Sequence, residues 1–193
     1  MSSLQERIEL LEADLKAVPP RINVYHDLPF AILRYDPTEE WELRREVKLL
    51  ATRLNQIGKD VHIISMSDFL WKAIEETEGL EEVVTLEKQR GYVAAQVQVT
   101  TYLSDRDWRP LADLLAERLA DLDPGKSVAF LTRVAAMSPG IYHMSKLLDQ
   151  MQGKTRVTTI LFYPGSIEGT TGLRFMDLKD RDALGNYRVK IYG

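Results

Sequence analysis

An α/β fold is predicted: a single three-layer domain with about four mostly parallel strands, helices on both faces and an irregular C-terminal cap. Three observations carry this. Four short runs, residues 30–33, 61–64, 127–132 and 157–163, are rich in β-branched, aromatic or leucine side chains, as strands buried in a sheet are. Between them, apolar residues recur every three to four positions, the period of an amphipathic helix. The first two runs and the helix joining them fit within about 35 residues, the size of a strand–helix–strand crossover, which implies parallel pairing.

Taken in order, residues 3–18 place Leu4, Ile8, Leu11 and Leu15 on one helical stripe among Glu6, Glu9, Glu12 and Asp14, and Pro19-Pro20 end the helix. A single stripe of this kind predicts packing on the protein's own core, with a peripheral helix reaching for a partner as the alternative. Residues 29–35 form the first strand. Asp36-Pro37-Thr38-Glu39 then opens a helix, with Asp36 as N-cap, Pro37 in the first helical position and Glu39 completing a capping box. Leu43, Val47, Leu50, Leu54 and Ile57 are its expected buried stripe. Glu39, Glu40 and Glu42 near its start and Arg53 near its end suit the helix dipole, and Gly58 stops it.

The second strand, 61–64, leads to Ser65, Ser67 and Asp68, which offer caps for a helix carrying Phe69, Leu70, Trp71 and Ile74. Residues 79–104 are expected to be helical, although Val93, Val97 and Val99 also fit a strand. A helix is expected over 107–122 from Leu111, Leu114, Leu115, Leu119 and Leu122, with Asp123-Pro124-Gly125 as the turn out. The third strand, 127–132, ends at Arg133 and is followed by a helical stretch through Ile141, Met144, Leu147, Leu148 and Met151, closed by Gly153. Residues 157–163 are the fourth strand. Pro164-Gly165 is expected to stop it and release a small-residue loop containing Gly165, Gly169 and Gly172. Residues 173–176 and 187–192 read as short strands or extended edge segments.

Composition narrows the function classes. The net charge of −4 over 193 residues mixes both signs, so no broad attraction to DNA or RNA is expected. The absence of cysteine excludes disulfides, thiolate-held zinc, iron–sulfur clusters and cysteine nucleophiles, and suits a reducing cytoplasm. The opening Met-Ser-Ser-Leu-Gln-Glu-Arg has no apolar core of signal-peptide length, and no run approaches the ~18 apolar residues of a membrane span. A soluble, cytoplasmic protein is expected.

Local motifs point away from known catalytic chemistry. Gly125-Lys126-Ser127 matches the end of a phosphate-binding loop, but Ala120 stands where the first glycine belongs, and a helix precedes the motif where a strand should. Gly165, Gly169 and Gly172 follow a strand yet lack the Lys-Ser/Thr pair, which favours a connection over the sheet to a phosphate cradle. His26, His62 and His143 have no second ligand at metal spacing, and Asp36, which at a strand end could hold magnesium, is accounted for more economically by its capping box. His143 and Ser145 lie two apart on a helix and so point to different faces.

With parallel strands, the carboxyl ends bring Arg34, Tyr35, Asp36, Ser65, Arg133, Tyr163, Pro164 and Gly165 to one rim, where open α/β sheets place ligands. Arg34 and Arg133 there either recognise a carboxylate or phosphate or brace the loops against an internal acid such as Asp36.

Several segments together carry a resemblance. They are residues 28–37 (Leu-Pro-Phe-Ala-Ile-Leu-Arg-Tyr-Asp-Pro) leading into an Arg-rich helix, 130–134 (Phe-Leu-Thr-Arg-Val), 161–165 (Leu-Phe-Tyr-Pro-Gly), 172–176 (Gly-Leu-Arg-Phe-Met) and 186–192 (Asn-Tyr-Arg-Val-Lys-Ile-Tyr). In this order and spacing, over residues 28–192, the chain resembles the BrxB proteins of the bacteriophage exclusion (BREX) systems. The resemblance implies one BrxB-like domain over residues 1–193, with 1–20 as its N-terminal helix. It implies a cytoplasmic, non-enzymatic adaptor or scaffold in an antiviral island, with no cofactor and no metal. PglZ, an alkaline-phosphatase-like protein, is the expected direct partner, beside a DNA methyltransferase, a large ATPase and other BREX subunits. No catalytic residue carries over. Arg34, Arg133, Tyr163, Gly165, Arg174 and Arg188 carry over as candidate contact or structural positions. Two other readings stand beside it: a ligand- or phosphate-binding protein, degenerate and nucleotide-binding-like, that uses the rim, and a nucleic-acid accessory protein with a basic surface of Arg174, Arg181, Arg188 and Lys190. Asp177, Asp180 and Asp182 lie among those cations, so direct nucleic-acid binding is not expected.

Overall fold

The computed structural model describes residues 2–22, 28–169, 172–178 and 187–193, so His26, Asp180, Arg181, Asp182 and Asn186 lie outside the described residues. The elements run α1 (Leu4–Lys16), β1 (Phe30–Tyr35), α2 (Glu40–Gln56), β2 (Asp60–Ser65), α3 (Met66–Glu75), α4 (Leu80–Arg90), α5 (Tyr92–Ser104), α6 (Leu111–Ala120), β3 (Ser127–Thr132), α7 (Met144–Met151), β4 (Thr158–Glu168), β5 (Gly172–Phe175) and β6 (Lys190–Tyr192). The fold is α/β, with a mostly parallel sheet between two helical layers. Its strands number more than the expected four, because both C-terminal runs join the sheet.

The strand order is β2-β3-β4-β1-β6, all parallel, with β5 antiparallel to the far half of β4. Strands β1 and β2, linked by α2, are parallel but not adjacent, since β3 and β4 insert between them. Side chains alternate across the sheet, which splits the apolar interior in two. Phe30, Ile32, Ile64, Leu131, Leu161 and Tyr163 face α3 to α7. Ala31, Leu33, Tyr35, Phe130, Ile160 and Phe162 face α1 and α2.

Helix α1 belongs to this second core. Its Leu4, Ile8, Leu11 and Leu15 are all buried, and it packs on α2, β1 and β6. Its start is fixed by a capping box: the Glu6 N–H donates to Ser3 Oγ at 3.2 Å and the Ser3 N–H to Glu6 Oε2 at 2.7 Å. At its other end, Asp14 accepts hydrogen bonds from Lys190 and from the Tyr192 hydroxyl, clasping the helix to β6.

The capping box of Asp36 and Glu39 forms as expected, with Pro37 opening a 3-10 turn, Pro37–Glu39, that leads into α2. Residues 79–104 are helical as expected, in two helices that meet at Gly91, whose φ of +86° no helix continues. Three expectations are corrected. Ile57 is 52% exposed, because α2 ends at Gln56, before its stripe would return to the core. The helix expected from residue 107 starts at Leu111, after Pro110. The largest change is in β4, which Pro164-Gly165 does not stop. The strand runs on to Glu168 and folds back as a hairpin with β5, so most of the expected loop is sheet.

Candidate functional site

The rim of strand ends separates into a built-over half and an open half. In the first, β1 and β4 end side by side, with Arg34 opposite Tyr163 and Tyr35 opposite Pro164. Beyond Pro164, β4 pairs with β5, and this hairpin covers the strand ends. Tyr163 is buried edge-on against Phe175 and Tyr187, with ring centroids 5.5 and 5.9 Å apart, and its hydroxyl donates to Leu173 O at 3.5 Å. Pro164 O accepts the Met176 N–H at 3.0 Å. Gly165, at φ +145°, lies so close to the Arg174 carbonyl that a Cβ there would overlap it. Arg174 itself pairs across the hairpin with Glu168. These residues hold the C-terminal hairpin in place.

Arg34 is buried, and its Nε has no hydrogen-bond partner among the described residues. Its charge, with that of Arg7, helps hold the Asp36 carboxyl below the usual range, after the larger effect of hydrogen bonds from the Thr38 hydroxyl and N–H at 2.6 and 2.8 Å. Arg7, on α1, is also buried and reaches Glu39 Oε2 at 3.3 Å. The Arg7–Glu39 pair ties α1 to the entry to α2, with Arg34 and Asp36 close enough for their charges to interact. Sequence reading missed Arg7. Its position three residues after Leu4 and four before Leu11, on the apolar stripe, was the available signal.

The open half is a cleft of about 570 Å³ between α2 and the carboxyl ends of β2 and β3. Ile63 and Ser65 of β2, Thr132 of β3 and Arg133 line one side, and Trp41, Arg44, Arg45 and Lys48 the other. Of the expected rim, only Ser65 and Arg133 line it. Arg133 is exposed in the left-handed conformation at φ +57°, where the chain leaves β3. Ser65 Oγ donates to Asp68 Oδ1 at 2.9 Å and lies 2.8 Å from Ser67 Oγ. Arg188 is exposed just ahead of β6 and does not line the cleft.

Trp41 is 77% exposed, yet it is held. The guanidinium of Arg44 stacks 4.6 Å from its ring centroid, and Arg44 Nε donates to Glu40 Oε1 at 2.7 Å. The buried Tyr35 hydroxyl donates to the other Glu40 oxygen, and burial, then Glu40, pushes that hydroxyl's pKa up, so it stays protonated and donating. Spacing accounts for the stripe: residues 41, 44, 45 and 48 share one helix face, offset from the core-facing Leu43, Val47, Leu50 and Leu54. That Trp-Arg-Arg-Lys face stands in the sequence at i, i+3, i+4 and i+7, beside the stronger apolar stripe of the same helix. Chemically, the cleft offers an indole face, an aliphatic floor and four cations against the single carboxylate of Glu40.

Among the described residues no three His, Asp or Glu side chains gather in an arrangement able to hold a metal, and no helix is long and apolar enough to cross a membrane. A family model described as BREX protein BrxB matches residues 62–191, a shorter span than the resemblance suggests. The chain is similar to a BREX protein BrxB of Bacillus cereus (strain H3081.97), with 22% identity over 158 residues, 80% of either chain. No solved structure matches.

Proposed function

The chain belongs to the BrxB family of BREX proteins, and from that premise we propose that it is a non-catalytic adaptor of a cytoplasmic BREX assembly, binding PglZ or another BREX subunit. The observation that carries this is Trp41. An indole left in water while Tyr35, Glu40 and Arg44 fix its orientation is arranged for contact, and tryptophan and arginine are the residues on which binding energy concentrates at protein interfaces. The cleft's positive character, in a chain of net charge −4, favours an acidic counterpart and suits electrostatic steering. The covering of Tyr163, Pro164 and Gly165 by the β5 hairpin supports the same reading, since that half of the rim serves internal bracing.

Co-expression of the tagged chain with each BREX protein in turn tests the reading. A stoichiometric complex with PglZ or another subunit, surviving size-exclusion chromatography, is expected. Recovery of the chain alone from every pairing would remove the adaptor role.

A further inference from the structure

Beside the cleft runs an outer edge of the sheet. Among the described residues strand β2 pairs only with β3, and along such a strand the N–H and C=O of one residue point to the same side, alternating from residue to residue. The Asp60 N–H donates to Lys126 O at 3.1 Å and Ile64 O accepts from Thr132 Oγ1 at 3.3 Å, both on the β3 side. Val61, Ile63 and Ser65 therefore face outward. Asn55 Oδ1 takes the Val61 N–H at 2.9 Å, and Ser65 is the N-cap of α3. Between them the outward N–H and C=O of Ile63 meet no backbone partner among the described residues. The Ile63 side chain, 46% exposed, lines the cleft.

The cleft's charge is partly uncommitted. Arg44 is held by Glu40 and Arg45 by Glu46, whereas Lys48 and Arg133 meet no carboxylate among the described residues.

We propose that the β2 edge and this cleft receive an extended acidic segment of a partner protein, which adds as a strand beside Ile63. A large apolar side chain of that segment seats on Trp41 and Ile63, and its carboxylates meet Lys48 and Arg133. The proposal rests on the adaptor reading and narrows it to one surface and one kind of segment. Phosphates would satisfy the cations and could accept from the Ile63 N–H but would offer no donor to the Ile63 carbonyl, whereas another peptide backbone matches both.

Two variants test it, with purified PglZ and the other BREX proteins as probes. The first is Lys48→Glu with Arg133→Glu. The second, Ile63→Pro, removes the outward N–H together with the Ile63 side chain that lines the cleft, and takes no donor from the β3 ladder, which does not use that N–H. Calorimetric titration is expected to show wild-type binding that weakens about tenfold or more in each variant, with thermal midpoints close to wild type. Amide exchange at Ile63 is expected to slow in the complex. If wild type binds a BREX protein and both variants bind equally well, this proposal is overturned and the adaptor reading stands. If wild type binds none, both fall. Binding of a labelled single-stranded oligonucleotide that the charge reversal abolishes, with protein binding unchanged, also overturns it, in favour of a nucleic-acid cleft.

Discussion

Gly165 is held by its own backbone and by a neighbour. At φ +145° it occupies a region that L side chains rarely adopt, and the Arg174 carbonyl leaves no space for a methyl group. Gly165→Ala is expected to cost roughly 2 kcal/mol or more, read as a lower denaturation midpoint, because the β4–β5 pairing must shift. At Asp14, burial raises the carboxyl pKa, but the hydrogen bonds from Lys190 and Tyr192 outweigh it, so the folded value lies below the usual one. The clasp to β6 is thus fully formed above the unfolded pKa of about 4 and is lost as pH falls through the lower folded value. Asp14→Asn is expected to cost about 1–2 kcal/mol at neutral pH and to flatten the fall in stability below about pH 4, as measured by urea denaturation across pH. At this scale the sequence was legible where one residue type has one local use, as with the Asp36 cap and the Gly58 stop. For Arg7 and Arg34 only the position was legible, on the apolar stripe of α1 and at the end of β1, and not the partners, which come from elements far apart in the chain.

Among the elements, the long strand β4 departs most from expectation, and its proline accounts for this. The pairing of β4 with β3 ends at Leu161, its pairing with β1 ends at Pro164, and its pairing with β5 starts at Gly165. Pro164 sits at the handover, where no neighbour requires an N–H from it, so a residue that normally ends a strand is tolerated inside one. No local pattern reveals that, because the partner strand lies downstream. The helices were more legible, since their periods are local: Leu43, Val47, Leu50 and Leu54 are buried as expected. Helix α4 is the least anchored of them, with Val83 its only buried residue. Its amides are expected to exchange with deuterium faster than those of α2, which buries six residues. Equal protection in the two helices would contradict that ranking.

On the scale of the whole molecule, both cores share one sheet, and α1, from the start of the chain, closes against β6, from its end. We propose that residues 1–193 form one cooperative unit. Leu11→Ala, at a fully buried position in α1, is expected to lower stability by about 2–4 kcal/mol while calorimetry still shows a single transition. Two separated transitions would contradict this. The same topology turns one half of the strand-end rim inward under the β4–β5 hairpin and leaves the other open beside Trp41. Sedimentation velocity of the purified chain mixed with purified PglZ at micromolar concentration tests the adaptor role most directly. A single faster boundary of stoichiometric composition is expected, with the next BREX subunit replacing PglZ if that one is the partner. Independent sedimentation in every such mixture would contradict the account.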